Sequence, residues 1–266
     1  MQTIHVLILA VVQGLTEFLP VSSSGHLVLA QRALGVQTPG PDVELFLHLG
    51  TLVSVCVFYR RRLLELLGSF LRGERAGWLY ALWVVVATVP AAVFYKACGE
   101  RIDALYDSHR AVAALLLLNG VLLLLSALAD RRKTEKPLGF VRALAMGVGQ
   151  ALAILPGVSR SGTSISAGRL FGLGPKAAAE FSFIMSIPVI AGAAVLEFVA
   201  ADDRLAAGGA TDTFPVPIGP ALAGTVVAAA VGWIALRTVV RLLERGAFWM
   251  FGPYCLAVGA AALLFL

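Results

Sequence analysis

Two short polar segments of this apolar sequence are nearly identical. Residues 21–26 read VSSSGH and residues 158–163 read VSRSGT, so four of their first five positions carry the same residue. At the position that differs, Ser23 of the first segment corresponds to Arg160 of the second. Serine offers a neutral hydroxyl, whereas arginine stays charged even when it is desolvated. We therefore expect equivalent positions of the two segments to have different chemical roles.

An acid and an amide precede the first segment on one helix face. Gln13 and Glu17 are four residues apart, which places them one above the other on a helix, and His26 ends the segment. A carboxylate with a neighbouring amide can hold a divalent cation, which neutralises a phosphate and withdraws charge from a leaving group. Histidine is suited to moving protons near neutral pH. The second segment has Ile154 near the position of Glu17, so the acid occurs in one half only.

Together the two segments contain the groups that bind a phosphate. Arg160 offers a planar fork that matches phosphate oxygens, and hydroxyls and helix N-termini supply further donors. The hydroxyl side chains are Ser22, Ser23, Ser24, Ser159, Ser161, Thr163 and Ser164. Small polar residues also serve as packing sites between membrane helices, and this alternative stays open for Gln13, Ser24 and Thr163. Packing explains Glu17 and Arg160 less well, because an ionisable group at membrane depth is costly and requires a partner.

The composition is that of an integral membrane protein. Of the 266 residues, 59% are hydrophobic and 14% are charged, and the mean hydropathy is +0.86. Runs of about 20 apolar residues, long enough to cross a hydrocarbon core, recur along the chain. The net charge of +5 does not indicate nucleic-acid binding, because the basic residues lie between the apolar runs. The three cysteines are widely separated and predict neither a disulfide framework nor a zinc site.

Six segments are predicted to cross the membrane, and two are predicted to enter it and return. The spans are predicted near residues 43–59, 77–97, 111–129, 177–199, 217–236 and 246–266. Regions 2–34 and 140–172 each contain an apolar run broken at a proline, a Ser/Gly-rich turn and a second short run. A polar turn at membrane depth is tolerated only where protein buries it or where it lines a wet cavity. These two regions are therefore predicted to be re-entrant helical hairpins.

The distribution of lysine and arginine predicts the orientation. The predicted cytoplasmic segments contain fifteen basic residues and the predicted external segments contain three, a strong positive-inside bias. The cytoplasmic segments are 60–75, 130–142, 169–176 and 237–245, and the external segments are 35–42, 98–110 and 200–216. The hairpin at 140–172 is therefore predicted to enter from the cytoplasmic side, and the hairpin at 2–34 from the outer side.

The chain is predicted to be one polytopic membrane domain, residues 1–266, built from an inverted repeat. Repeat 1 covers about 1–135 and repeat 2 about 136–266. The polar turns are related by an offset of 137 residues, and Glu44 corresponds to Glu180 with an offset of 136. Each repeat has one hairpin and three spans, and an odd number of spans gives the repeats opposite orientations. In such all-α architectures the ligand site lies near mid-membrane where broken helices meet, so both hairpins should converge on one site.

The hairpin residues resemble the signatures of a known family. The run from Gln13 to His26, QGLTEFLPVSSSGH, resembles the signature [E/Q]xxxE followed by PVSSxGH of the bacitracin-resistance type of undecaprenyl-diphosphate phosphatases. The run from Pro156 to Ser164, PGVSRSGTS, resembles their second signature, PGxSRSxxT. The resemblance covers essentially the whole chain. Ser164 stands where that signature has a threonine and Thr163 precedes it, so either hydroxyl is a candidate for phosphate contact.

The resemblance implies an activity and a setting. The activity is hydrolysis of the C55 isoprenyl diphosphate to the monophosphate and orthophosphate, which recycles the lipid carrier of bacterial cell-wall synthesis and gives bacitracin resistance. The setting is the bacterial cytoplasmic (inner) membrane, with the active site facing the outer, periplasmic side. A divalent cation, Mg²⁺ or Ca²⁺, is expected as cofactor. The expected partners are the polyprenyl diphosphate lipid and the bilayer, without nucleic acid, and a homo-oligomer is compatible with the sequence.

The residue roles form a hypothesis with one open step. Glu17, assisted by Gln13, is expected to hold the cation, and Arg160 to clamp the diphosphate. Ser23, His26 or a water molecule attacks the terminal phosphorus, and His26 alternatively moves the proton. The expected catalytic residues are Glu17, Ser23, His26 and Arg160, and the expected phosphate-binding residues are Ser22, Ser159, Arg160, Ser161, Thr163 and Ser164.

Two other functions explain part of the sequence, and several other polar residues have structural interpretations. A lipid-phosphate transporter or flippase is the main alternative, because the inverted repeat is a transporter architecture and a fold alone does not decide function. A passive phosphate-binding protein explains Arg160 but not the one-sided Glu17 and His26. His48 is interpreted as a packed or hydrogen-bonded helix residue, and Tyr254, with the other aromatic residues, as an interfacial or packing residue.

Overall fold

The computed structural model of the protein describes residues 3–35, 41–128, 135–206 and 218–265. Within these ranges the regular structure is helical throughout, and no strand occurs. The helices are α1 (Thr3–Thr16), α2 (Ser23–Ala33), α3 (Pro41–Phe58), α4 (Arg60–Leu71), α5 (Arg75–Tyr106), α6 (His109–Ser126), α7 (Phe140–Leu152), α8 (Arg160–Leu170), α9 (Pro175–Ala206), α10 (Ile218–Glu244) and α11 (Phe251–Phe265). The predicted all-α membrane architecture is confirmed.

The membrane-spanning helices follow the predicted order. In the described part of the chain, α5, α6, α9, α10 and α11 with the turn before it are long and apolar enough to cross a bilayer. A sixth candidate is α3 together with α4, which bends away from it by 76°. Both α5 and α9 have 32 residues and extend past the predicted spans, so most of the segment 98–110 is helical. Of the predicted connecting segments, residues 36–40, 129–134 and 207–217 lie outside the described residues.

Both predicted re-entrant regions are pairs of short helices. The first helix of each pair has 14 residues in α1 and 13 in α7, about 20 Å, which is too short to cross a 30 Å hydrocarbon core. The backbone N–H of Lys136 donates to the carbonyl of Gly172 at 2.8 Å, so the chain enters and leaves the second pair at the same end. This geometry fits a re-entrant hairpin.

The two halves of the chain are packed crosswise. The hairpin helix α1 lies along α10 of the second half, while α7 lies along α5 of the first half. Helices α6 and α11 pack against each other through Gly120 and Gly252, and a Cβ on either glycine would lie 2.9 Å from the carbonyl oxygen of the other. Such reciprocal contacts are what an inverted repeat with an internal two-fold axis would produce.

Helix α4 was not expected, because residues 60–75 were interpreted as a cytoplasmic connection on account of their arginines. The segment RRRLLELLGSFL spaces its leucines at helical intervals, and this amphipathic pattern forms a helix beside α5. Charge and length alone predict a connection here, whereas the leucine periodicity predicts the helix. The consequence is a surface helix at an angle to the spans.

Candidate active site

The turns of the two hairpins meet at a buried ion pair. Nη2 of Arg160, the first residue of α8, donates to Oε1 of Glu17 at 2.8 Å, across 143 residues of sequence. The side chains of Glu17 and Arg160 are 7% and 17% exposed. A buried charge of either sign is costly unless it is paired, so each side chain requires the other. The structure thus brings together two predicted catalytic residues from opposite halves of the chain.

The second carboxylate oxygen of Glu17 is used within the first half. Oε2 accepts a hydrogen bond from the hydroxyl of Ser23 at 2.7 Å and from Nε2 of Gln13 at 3.0 Å. Nε2 of His48 in α3 lies 3.8 Å from the same oxygen, although its Nδ1 is hydrogen-bonded to the carbonyl of Glu44 as the helix interpretation expected. Sequence reasoning therefore missed the contact between His48 and the acid.

The first hairpin turn has an unusual backbone conformation at Ser22. Its φ is 69° and its ψ is 101°, and among the described residues it is the one non-glycine residue with a positive φ. Such conformations cost about 1–3 kcal/mol and persist where surrounding contacts fix them. Here the Ser22 side chain accepts from the N–H of Gly25, and its carbonyl accepts from both the backbone N–H and Nδ1 of His26. These hydrogen bonds fix the start of α2 and the orientation of His26.

The hairpins contact each other through equivalent small residues. A Cβ on Gly25 would lie 3.0 Å from Cα of Gly157, and a Cβ on Gly162 would lie 3.3 Å from Cβ of Pro20. The two contacts are equivalent, because Gly25 corresponds to Gly162 and Pro20 corresponds to Gly157 under the offset of 137 residues. Gly157 has a φ of +103°, and its Cα faces the backbone of α6, which leaves no room for a side chain. The close approach holds the two helix N-termini side by side.

The hydroxyls of the second hairpin are engaged in the closed turn. Ser159 caps α8 by accepting from the N–H of Gly162 at 3.1 Å, and its hydroxyl lies 3.1 Å from that of Ser161. Ser161 also lies within 3.3 Å of the carbonyl of Leu19 in the first hairpin. The cap repeats that of the first hairpin, where Ser22 accepts from Gly25. A phosphate bound here would have to replace some of these hydrogen bonds with its own.

Thr163 and Ser164 face different surroundings. The Thr163 hydroxyl donates at 2.6 Å to the carbonyl of Gly149 in α7, so it joins the two helices of its own hairpin. The Ser164 hydroxyl lies 2.7 Å from that of Ser182 in α9, whose carbonyl accepts from Nη1 of Arg160 at 3.4 Å. Ser164 is therefore on the guanidinium side of α8. The Ser164 hydroxyl is fully buried and also donates to the carbonyl of Arg160 at 2.6 Å, so the hydroxyls of both residues are engaged in hydrogen bonds within the protein.

His26 is bonded away from Ser23. Its Nδ1 donates to the carbonyl of Ser22, so Nε2 of the neutral ring is the acceptor and takes the hydrogen bond of the Tyr254 hydroxyl at 3.0 Å. The two rings are stacked with their centroids 5.7 Å apart and 7° between their planes. Tyr254, which the sequence interpretation left without chemistry, thus contacts the nitrogen on which His26 would act. The hydroxyl of Ser23 is directed to Glu17 instead.

A buried asparagine bridges the two hairpin turns. Asn119 in the middle of α6 has no solvent exposure; its Nδ2 donates to the carbonyl of Pro20 at 3.0 Å, and its Oδ1 accepts from the N–H of Ser159 at 3.0 Å. Both sides of the amide are therefore satisfied, one by each hairpin. Sequence reasoning missed Asn119 because nothing near it in the sequence signals a partner.

Glu44 and Glu180, which open equivalent spans, do not reach the buried ion pair. Glu44 accepts from Gln31 of α2 at 2.9 Å, and Glu180 accepts from Nε of Arg62 in α4 at 2.9 Å. Each acid therefore joins the start of its span to a neighbouring helix. Both acids therefore join helices to each other and do not contact Arg160.

The oxygen atoms around Glu17 are chemically suited to a hard divalent cation. Oε1 of Gln13 is buried and has no hydrogen-bond partner, next to the carboxylate of Glu17 and the hydroxyl of Ser23. Magnesium is commonly held by one or two carboxylates together with substrate phosphates. Within the described residues no group of three or more His, Cys, Asp or Glu side chains is placed to hold a metal alone. The donor set thus fits a cation that shares its coordination with a phosphate ligand.

Comparison with known proteins gives one consistent family. A family model described as Bacitracin resistance protein BacA matches residues 6–261. A protein of Rubrobacter xylanophilus named undecaprenyl-diphosphatase is 40% identical over 280 residues, which cover the whole of both chains. Proteins with the same name from Desulfosudis oleivorans and Geobacter sulfurreducens are 37% and 35% identical, and the matches cover at least 98% of each chain.

Proposed function

The chain belongs to the bacitracin resistance protein BacA family, and from this membership and the site geometry we propose that it removes the terminal phosphate of undecaprenyl diphosphate. It is a membrane phosphatase that yields undecaprenyl phosphate and orthophosphate and so returns the lipid carrier to cell-wall synthesis. Bacitracin resistance follows from the same activity. The relatives carry the name of a hydrolase, so the transporter alternative is not favoured.

The observation that carries this function is the junction of the two hairpins. A carboxylate, a guanidinium and a serine hydroxyl lie within hydrogen-bond distance at Glu17, Arg160 and Ser23. Charge pairing alone would explain the carboxylate beside the arginine in a passive anion site, but it does not require the Ser23 hydroxyl that donates to the same carboxylate. A site that transfers a phosphoryl group uses the arginine for the charge of the phosphate and the carboxylate for a proton or a cation.

The guanidinium of Arg160 is proposed to bind the diphosphate. In the structure Nη2 is held by Glu17 and Nη1 faces the carbonyl of Ser182, so the fork is oriented before substrate arrives. Phosphate oxygens are bound best by two parallel N–H groups of arginine, which also stabilise the charge that develops during transfer. The N-terminus of α8, with Ser161 and Ser164, supplies further donors.

The attacking group is proposed to be Ser23 or a water molecule in its place. The Ser23 hydroxyl already donates to Glu17, so the carboxylate is positioned to accept its proton as the oxygen attacks the terminal phosphorus. The anhydride P–O bond breaks, undecaprenyl phosphate leaves, and water releases orthophosphate from a phosphoserine if one forms. His26 is the alternative nucleophile or base, for which its Nε2 must be released by Tyr254.

Glu17 and Gln13 are proposed to hold the divalent cation, Mg²⁺ or Ca²⁺. When bound, such an ion supplies charge neutralisation at the diphosphate and at the leaving oxygen. The carboxylate would be shared between the cation and Arg160. Because the Glu17 carboxylate carries one negative charge, the phosphates of the substrate would complete the ligand set of the cation.

The site is proposed to face the outer side of the bacterial cytoplasmic membrane. Support comes from the distribution of arginines and lysines, which assigns the first hairpin to the outer side and the second to the cytoplasmic side. The acid, the serine and the histidine are all on the first hairpin. A lipid diphosphate approaching from the outer leaflet would therefore meet Ser23 and Glu17 first.

Phosphate release from the purified protein tests the proposal. With undecaprenyl diphosphate in detergent, we expect one orthophosphate per lipid, abolition of release by EDTA, and recovery with added Mg²⁺ or Ca²⁺. Proteoliposomes loaded with the same labelled lipid provide the second measurement. Transfer of lipid across the membrane without phosphate release would favour the transporter function over hydrolysis.

A further inference from the structure

Helix α4 exposes a stripe of leucines that its own protein does not cover. Leu64, Leu67 and Leu71 recur at helical spacing on one face and are 68%, 53% and 74% exposed. None of the residues of α4 is buried. Contiguous exposed apolar surface of this kind marks contact with a membrane or another protein. The 76° bend after α3 turns α4 away from the direction of the spans, so it lies nearly parallel to the membrane surface.

Packing against α5 fixes the position of α4. The ring of Phe70 lies 4.1 Å from that of Trp78, measured between centroids, and Gly77 abuts the backbone of Phe70 with no room for a Cβ. On the same side, Nε of Arg62 forms an ion pair with Glu180 of α9 at 2.9 Å. These contacts occupy the inner face of α4. The leucine stripe therefore faces outward, with Leu67 at the border of the groove between α4 and α5.

Arginines border the leucine stripe. Arg60 continues the stripe at its N-terminal end, and Arg61 and Arg72 are eleven residues apart, which places them on one edge beside it. All three are exposed. Arg72 pairs with Glu74 at 2.6 Å, whereas Arg61 has no ion-pair partner among the described residues. Arginine side chains at this level place their stems along the acyl boundary and their charge among lipid headgroups.

We propose that α4 is an interfacial helix that binds anionic phospholipids, with Leu64, Leu67 and Leu71 in the acyl boundary and Arg60 and Arg61 on lipid phosphates. A basic amphipathic helix with an apolar face is the form that binds such surfaces. The partner is identified by charge: guanidinium groups without an internal acid prefer phosphatidylglycerol over a zwitterionic lipid. The positive-inside bias assigns this face to the cytoplasmic leaflet.

Fluorescence quenching by brominated lipids measures the depth of the helix. Bimane is attached at Leu64→Cys or Glu65→Cys after Cys56 and Cys98 are replaced; Cys255 is fully buried and stays. In nanodiscs we expect brominated acyl chains to quench the label at residue 64, and aqueous iodide to quench the label at residue 65. Equal access of iodide to both positions would overturn the interfacial placement.

The lipid preference is measured with the same label at residue 64. Brominated phosphatidylglycerol is expected to quench more strongly than brominated phosphatidylcholine at equal mole fraction. In Arg60→Gln/Arg61→Gln the preference should fall by about fivefold for each arginine removed. Arg241→Gln/Arg245→Gln removes the same charge from exposed arginines on the same side and should leave the preference unchanged. An equal loss of the phosphatidylglycerol preference in both double variants would show that it comes from the general surface potential, and this would overturn the assigned contacts. An undiminished preference in Arg60→Gln/Arg61→Gln would overturn them as well.

Discussion

The carboxylate of Glu17 accepts hydrogen bonds from both halves of the protein, so its charge and its position act together. One oxygen neutralises Arg160, and the other orients Ser23 and Gln13. Sequence spacing predicted Gln13 and Glu17 on one face, and the structure places them within 3.0 Å. The sequence predicted that Arg160 shares a pocket with Glu17 but not that the two side chains form an ion pair.

Replacing Glu17 with glutamine tests the role of its charge. Glu17→Gln keeps the shape but leaves Arg160 unpaired, and breaking a buried pair costs about 3–5 kcal/mol. We expect phosphate release to fall by orders of magnitude and to recover little at high Mg²⁺ or Ca²⁺, together with a lower thermal midpoint. Glu65→Gln, an exposed acid paired with Arg62, is the matched control and should retain activity. Near-normal turnover of Glu17→Gln would contradict the assignment.

Ser23 and Arg160 are expected to act on one phosphate. Arg160→Lys keeps the charge but loses the bidentate fork, and loss of a preorganised donor costs about 3–4 kcal/mol, or roughly 10²–10³ in kcat. Ser23→Ala should be comparable. Because groups that act in one step are not additive, the double variant should be far less damaged than the product of the single losses. Rates that multiply strictly would show that the two hairpins do not share a site.

Tyr254 is expected to orient His26 through its ring more than through its hydroxyl. Tyr254→Phe keeps the stacked ring and removes one neutral hydrogen bond of about 0.5–1.5 kcal/mol, so kcat should change by less than about tenfold. Tyr254→Leu also loses the ring contact and should reduce kcat further. Tyr95→Phe, which removes an exposed hydroxyl bonded to Asp103, serves as control. A hundredfold loss in Tyr254→Phe alone would instead make the tyrosine hydroxyl a proton carrier.

At the scale of helices, α6 determines how the two hairpins meet. Asn119 supplies a hydrogen bond to each turn from a position with no solvent access. Its neighbour Gly120 lets α11 approach closely, and α11 carries Tyr254 to His26. Asn119 and Gly120, which are adjacent in α6, therefore position both hairpin turns and α11.

Asn119→Leu should weaken both the fold and the reaction. It leaves the N–H of Ser159 without a partner and the carbonyl of Pro20 with only the long hydrogen bond from the Cys255 thiol at 3.9 Å. A buried polar group without a partner costs about 1–3 kcal/mol. We expect a lower thermal midpoint and a reduced kcat measured well below that midpoint. Ser126→Ala, on the same helix, removes a buried hydroxyl bonded within α6 and serves as the matched control. A kcat equal to that of the control would show that the turns are positioned without this amide.

The sequence predicted the helices better than the contacts between them. Apolar length and broken runs were enough for five spans, a sixth candidate at α3 and α4, and two pairs of short helices, because bilayer thickness imposes those patterns. The contacts of Asn119 and His48 could not be predicted. The partner of Asn119 is a backbone carbonyl 99 residues away, and the partner of His48 is Glu17, which follows another helix. Helix α4 differs from the prediction because its arginines are typical of a cytoplasmic loop, whereas its leucines recur at helical spacing.

Over the whole molecule, reciprocal contacts coexist with chemical asymmetry. Gly25 faces Gly157 as Gly162 faces Pro20, and each turn caps its helix with an equivalent serine. The acid and the histidine nevertheless occur in the first half and the guanidinium in the second. An internal two-fold axis, as the inverted repeat predicts, would bring equivalent positions to one point, and divergence at that point would supply complementary groups. We infer that the repeat supplies the geometry and the substitutions supply the reaction.

The predicted inverted repeat has a consequence for which side of the membrane each connecting segment faces. Single cysteines at three exposed positions, Arg75, Asp107 and Lys136, are introduced with the native cysteines replaced and treated with an impermeant maleimide on spheroplasts. Asp107→Cys should label from outside, because the basic residues concentrate on the opposite side. Arg75→Cys and Lys136→Cys should label only after the membrane is permeabilised.

The backbone hydrogen bond from Lys136 to Gly172 joins the entry and the exit of the second hairpin, so external labelling at residue 136 would place this hairpin on the outer side with the first. Two hairpins on one side cannot be related by an axis in the membrane plane, and that result would overturn the inverted repeat.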